Sequence, residues 1–360
     1  MPTRFRPTLI SAAAAALLLP FLSAFVGAAP AVAGRDMHKH EVAMYRVDKY
    51  VKLAGVGTDT VGDTPFQSLS CNGGDTVTDG MWLVDHVDPY VPVTDPDGDP
   101  DYPPDGPDPS AYNDQRDVQV DASYPSWDNR TWNFRFDNTA YGDAQVKLYV
   151  LCIHGSTEQA SGHNHSISVG MLGTETSSST SYSWQKLCTK DQYFVAPGFE
   201  LHGAPYRLVG SFPKSGPNPS VPADTKGWNW EFALSNPNHP ASFGNATFYG
   251  KCINRLTTVA WPAHQHAISM RWAPTSYVDR TVGPGSPQWV QYQCDEDNSA
   301  MHNYKAMTAS FYLLNNSKTW FLGMEPRPKI RAYSFLATTS NQTVKVGTLC
   351  IDGRTSFKIK

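Results

Sequence analysis

Hydrophobic and polar residues alternate with a period of two along short stretches of this 360-residue chain. Trp132-Asn-Phe134-Arg-Phe136 is the clearest run, and Trp230-Glu-Phe232-Ala-Leu234 and Tyr333-Ser-Phe335 match it further on. That period places the aromatics on one face of a strand and the polar residues on the other. A turn with proline precedes each run: Ser123-Tyr124-Pro125, Ser211-Phe212-Pro213 and Glu325-Pro326. A polar turn follows it, around Asn138, Asn236 or Ser340-Asn341, and then a second alternating strand such as Val146-Lys-Leu148-Tyr-Val150 or Val344-Lys-Val346. Long stretches of helical periodicity are absent. The pattern predicts an all-β chain of short antiparallel strands.

The same order of signals occurs three times. Each copy opens on a histidine doublet, His38-Lys-His40, His163-Asn-His165 or His264-Gln-His266, and closes on a cysteine followed by isoleucine. Six cysteines allow fifteen pairings, and the repeat selects one of them: Cys71 with Cys152, Cys188 with Cys252, and Cys294 with Cys350. Loops of this length would stabilise each copy by about 4 kcal/mol in the chain-entropy model. The expected architecture is three antiparallel β-sandwich or Greek-key units, each with one disulfide, spanning 34–157, 158–256 and 257–360. The links from His154 to Gly162 and from Asn254 to Thr258 are short, so the units should pack closely. A pseudo-threefold arrangement is one expectation.

Two segments stand outside the repeat. Residues 1–33 read as a cleaved signal peptide, with Arg4 and Arg6 before the apolar stretch Leu9 to Val26 and an A-x-A site at Ala31-Val32-Ala33. Export and paired cysteines agree with one another. Unit one alone carries an acidic, proline-rich loop, 88–117, whose centre runs from Asp95 to Asp108. Such a composition suits a solvated, extended loop. Asp95, Asp97, Asp99 and Asp101 have ligand spacing for calcium, but prolines stiffen the turn and no glutamate stands at an EF-hand's twelfth position, which disfavours that ion. The stretch Arg35 to Ser70 would either reach a partner or supply the first strands of unit one.

Composition narrows the function. The net charge of −4 and the lack of a basic run argue against nucleic acid, and no later segment is apolar enough to span a bilayer. There is no G-x-S-x-G, no H-E-x-x-H and no phosphate-binding glycine loop, and the cysteines are all expected to be bridged, so no enzyme activity is expected. On a strand, His38 and His40, His163 and His165, or His264 and His266 could hold copper or zinc between them. The plainer reading has these imidazoles bonding the backbone where each unit begins. His86, His202 and His302 lie downstream of each first cysteine at unequal offsets. Of ten tryptophans, Trp132 and Trp230 read as packing residues, while Trp127, Trp228, Trp272 and Trp289 could anchor an interface or a sugar.

The run Cys71-Asn-Gly-Gly-Asp-Thr-Val-Thr-Asp-Gly-Met-Trp82, with the aromatic strand and the terminal Leu-Cys-Ile, resembles secreted, disulfide-tied β-repeat proteins of actinomycetes. In outline the chain is similar to the adaptor subunits of streptomycete umbrella toxin particles. That resemblance implies an extracellular adaptor linking a lectin-like subunit to a large toxin, with no chemistry of its own. The leading expectation is therefore a secreted, non-enzymatic binding or assembly module with other secreted proteins as partners and no cofactor. The alternatives are an extracellular copper or zinc protein and a lectin-like carbohydrate binder.

Overall fold

A computed structural model describes residues 40–55, 65–89, 114–157, 163–177, 181–183, 187–202, 206–213, 226–234, 245–259, 264–296, 299–354 and 356–359. The predicted signal peptide, His38 and the run Asp95 to Asp108 lie outside the described residues. Apart from short 3₁₀ turns, such as Gln115–Asp117, the described secondary structure is strand. No helix among the described residues is long and apolar enough to cross a membrane.

The first repeat holds β1 (Met44–Leu53), β2 (Gln67–Ser70), β3 (Thr76–Val87), β4 (Val118–Pro125), β5 (Thr131–Asn138) and β6 (Ala144–Ile153). The second holds β7 (Val169–Met171), β8 (Glu175–Ser177), β9 (Ser181–Ser183), β10 (Gln192–His202), β11 (Tyr206–Pro213), β12 (Trp228–Leu234) and β13 (Asn245–Asn254). The third holds β14 (His264–Ala267), β15 (Met270–Val282), β16 (Gln288–Gln293), β17 (Tyr304–Leu313), β18 (Thr319–Pro326), β19 (Ile330–Ala337), β20 (Gln342–Asp352) and β21 (Ser356–Ile359). Arg35 to Ser70 thus supplies β1 and β2, the opening strands of the first repeat.

Each repeat divides between two sheets in the same way. In the first, β1, β6 and β3 form one half-sheet and β2, β5 and β4 the other. In the second, β13 lies between β10 and the short β7 and β8, and β12 lies between β11 and β9. In the third, β20 lies between β15 and β17, and β19 between β16 and β18. The half-sheets then fuse across repeats: β4 pairs with β10, β11 with β17, and β18 with β3. The sequence predicts three closely packed sandwich or Greek-key units with short links between them. The all-β antiparallel structure holds, and the half-sheets join into three continuous sheets, each shared by two repeats, in a closed cycle.

The joints are short and share one construction. They pair Ala122 with Glu200, Gly210 with Tyr312, and Gly323 with Leu83. Ala122, Gly210 and Gly323 each directly follow a bulge in their own strand, between Val120 and Ala122, Leu208 and Gly210, and Phe321 and Gly323. A bulge bends and twists its strand, so it redirects the sheet where one repeat meets the next. The side chain there must be small. At Gly323, φ is +131° and a Cβ would lie 2.2 Å from the Trp82 carbonyl oxygen. An aromatic pair crosses each joint as well: Tyr124 with Tyr249 (ring centroids 4.3 Å apart), Phe212 with Tyr312 (5.4 Å) and Trp82 with Phe321 (5.6 Å). The buried side chains of all three repeats form one hydrophobic cluster.

All six cysteines are bridged, as Cys71–Cys152, Cys188–Cys252 and Cys294–Cys350, with Cα separations of 5.8, 5.7 and 6.0 Å. Each bond ties the segment ahead of the repeat's joint strand (β3, β10 or β17) to its last long strand.

Hairpin register corrects the alignment read from the sequence. Pro125 faces Trp132, Pro213 faces Trp228, and Pro326 faces Arg331. Trp132 therefore corresponds to Trp228 and not to Trp230, whose counterpart is Phe134. The two tryptophans make matching bonds, from Trp132 Nε1 to Ser123 Oγ and from Trp228 Nε1 to Ser211 Oγ, each 2.9 Å. In the third repeat the position is Arg331, fully buried. Its guanidinium donates to the carbonyls of Ala306 (2.7 Å) and Met307 (2.5 Å), and its charge acts on Asp79 of the first repeat. Asp79 accepts from the Ala309 amide at 3.0 Å. Burial raises its carboxyl to about 7 even though Arg331 pulls it down.

Candidate metal centre

Short bridges join the end of each repeat to the start of the next. Ser156 bridges Ser166, Leu256 bridges Ala267, and Glu41 bridges Arg354, so the third repeat's end meets the first repeat's beginning. Equivalent amide bonds accompany them: Ile167 N to Gly155 O (2.8 Å), Ile268 N to Arg255 O (2.7 Å) and Val42 N to Gly353 O (2.9 Å). The anchors Val42, Ile167 and Ile268 are buried. Each lies two residues after the second histidine of a doublet. Ring closure thus brings His40 and the other two doublets to one place.

Of the described doublet histidines, only His264 and His266 lie on a strand, β14, which pairs with β21. His40 and the pair His163 and His165 sit in irregular backbone beside the isolated bridges, which corrects the strand placement expected for them. His40, His165 and His266 are at most 2% exposed, and His264 is 8% exposed. Their nearest ligand atoms all lie within 4.8 Å of one another. His264 Nε2 is 3.1 Å from His165 Nε2 and 3.3 Å from His163 Nε2. The His163 ring centroid is 5.0 Å from that of His40 and 5.0 Å from that of His264. Five imidazoles from three repeats therefore share one small volume.

Threonines hold this arrangement. Thr157 Oγ1 accepts from the His165 amide (3.1 Å) and contacts His40 Nδ1 (3.3 Å). Thr257 Oγ1 accepts in the same way from the His266 amide (2.9 Å). His165 Nδ1 faces the Thr258 carbonyl at 3.0 Å. A bond there places the proton on Nδ1 and leaves Nε2, which points into the cluster, as a lone-pair donor. The backbone bond expected of these histidines and a ligand role are compatible in one residue. The sequence reading missed the threonines, yet a signal existed: Thr157, Thr257 and Thr355 each stand five residues after a repeat's second cysteine.

The donor set suits a transition metal. Burial pushes His266 down to about 3, assisted by repulsion from His40, His165, His264 and His163. His165 is lowered as well, mainly by burial, against a raising bond to Thr258. Both rings are therefore neutral near pH 7, the form that binds metal. A Zn–N distance of about 2.0–2.1 Å implies nitrogens roughly 3.3 Å apart in a tetrahedral set, close to the two His264 separations given above. Ligand atoms as far apart as 4.8 Å need to close by about 1.5 Å. No cysteine or carboxylate among the described residues belongs to the cluster, and imidazole-only spheres suit zinc, copper, iron or nickel.

Among the described residues, the histidines downstream of the first cysteines do not join it. His86 lies between Asp85 and Asp88, His202 bonds Thr247 Oγ1 at 3.0 Å, and His302 bonds the Asn303 amide. Of the tryptophans read as free to bind, Trp228 and Trp272 are buried, with ring centroids 5.5 Å apart. Trp127 and Trp289 are exposed. Comparison with known proteins adds no relative: no family model matches the chain, and no curated protein matches it.

Proposed function

We propose that this chain is an exported metal-binding protein in which one transition-metal ion, zinc or copper, is held by imidazoles from all three repeats. The observation that carries this reading is the convergence of His40, His165, His264 and His266, all buried, with ligand atoms within 4.8 Å. His163 is positioned to complete the sphere. A sphere filled by imidazoles leaves no open position for a substrate, so the role is structural: the ion clasps the point where the repeats close into a ring. Three disulfides fit folding in an oxidising compartment.

The test is elemental analysis of the protein purified without added metal, then after chelation and reloading with zinc or copper. About one equivalent is expected, and loss of most of it in a His264→Ala, His266→Ala variant that keeps its disulfides. Folded protein that neither carries nor takes up metal would remove this reading.

A second reading, an assembly module for other secreted proteins, draws support from a different surface. Strand β16 is the edge of its sheet and carries the exposed Trp289. An open edge with an aromatic anchor suits addition of a partner's strand. A lectin-like subunit and a large toxin are the partners that the resemblance implies. Size-exclusion chromatography of native culture fluid separates the outcomes: co-elution with defined companions, lost in Trp289→Ala, would support it, and elution as a lone monomer would not.

A further inference from the structure

At the end of the sheets away from the disulfides, a cleft opens where all three repeats meet. Trp82, Gln115, Arg116 and Gln119 come from the first repeat, Arg207 from the second and Trp320 from the third. The guanidinium carbons of Arg116 and Arg207 lie 5.4 and 4.5 Å from the Trp320 ring centroid. The two cations differ in their surroundings. Arg116 is paired with Asp114 at 3.0 Å. Arg207 has no carboxylate within ion-pair distance among the described residues. One of its terminal nitrogens donates to the Thr319 carbonyl at 2.9 Å and the other to the Asn316 carbonyl. Its Nε is buried without a hydrogen-bond partner among the described residues.

Carbonyl dipoles satisfy N–H groups but supply no counter-charge. Burial of this cation draws its pKa down to about 10, a sign of how poorly its charge is compensated. The nearest other acid on the turn, Asp117, is itself raised, chiefly by burial, and receives the Asp114 amide. Among the described residues, one positive charge is left unmatched beside an aromatic wall.

We propose that this cleft binds a carboxylate, held by Arg207 and Arg116 with the Gln119 side chain at its rim. A singly charged, planar acceptor matches one unmatched guanidinium, whereas a phosphate dianion would exceed it. The carboxylate can belong to a small acid or to an aspartate of a polypeptide. This chain itself carries six aspartates between Asp95 and Asp108, so the experiment separates these sources.

Full-length protein and a variant lacking residues 95–108 are titrated with sodium acetate at constant ionic strength, following tryptophan fluorescence. Acetamide is the uncharged control. Saturation in the millimolar range is expected with acetate alone, weakened about tenfold in Arg116→Gln and abolished in Arg207→Met. Near-UV circular dichroism establishes that each variant is folded, and Arg116→Gln suffices if Arg207→Met is not. Tighter acetate binding after the deletion would identify the chain's own aspartates as competitors, and equal binding would point to an external acid. Absence of saturation in both chains, an equal response to acetamide, or unchanged binding in Arg116→Gln overturns the proposal.

Discussion

Lys251 stands directly before its cysteine, where the other repeats have Leu151 and Leu349, and it is fully buried. Its Nζ crosses into the first repeat and donates to the carbonyls of Asn129 (2.6 Å) and Val77 (3.3 Å). Burial lowers its pKa from 10.5 to about 7, with the distant charge of Asp128 opposing. Between those values the unfolded chain binds a proton that the folded chain lacks, so this residue makes stability rise with pH from about 7 toward 10.5. Lys251→Met keeps the volume and removes the buried charge. The Asn129 carbonyl keeps a donor, since it also accepts from the Val77 amide at 3.0 Å. The substitution should therefore stabilise the protein at pH 7 by about 1–3 kcal/mol. It should also flatten the stability profile between pH 7.5 and 9.5, as read by urea denaturation at several pH values. A destabilised variant would mean that the ammonium's bonds outweigh its desolvation.

At the scale of strands, the joints decide how the repeats combine, and a small residue after the bulge decides whether a joint can close. Gly323→Ala would force a Cβ against the Trp82 carbonyl at a backbone angle that alanine rarely adopts. A loss of about 3 kcal/mol or more is expected. Gly73→Ala is the control, since no atom lies within 4 Å of a Cβ placed there, and should stay within about 0.5 kcal/mol. The strands themselves were legible in the sequence because alternation, proline turns and cysteine spacing are local signals. Joints were not, because one or two residue pairs between distant strands leave no periodic trace. The third repeat's aromatic run is matched two residues out of register for a physical reason: Arg331 fills the place of Trp132 and Trp228, and the Asp79 charge that acts on it comes from another repeat. The histidine doublets were visible, but their convergence depends on Glu41 reaching Arg354, a contact between opposite ends of the described chain.

For the whole molecule, the shared sheets and the closed ring make one prediction about cooperativity and another about metal. Separate sandwiches would unfold independently, with a calorimetric enthalpy about three times the van't Hoff value. Here each repeat completes two sheets belonging to its neighbours, and one hydrophobic cluster runs through all three. Removing any repeat exposes two joints and their aromatic pairs. A single transition with an enthalpy ratio near one is therefore expected. The histidine centre draws on every repeat, so an ion bound there stabilises only the closed state. At a free-metal concentration about 100 times Kd, that linkage contributes about 2.7 kcal/mol, or roughly 4 °C in Tm for a chain of this size. Chelation should lower Tm by that amount and keep the transition single, because every repeat loses the same clasp at once. A chelator that splits the endotherm into separate steps would show that the ion supplies the cooperativity here assigned to the sheets. One that leaves Tm unchanged in a metal-loaded sample would place the ion somewhere other than the ring closure.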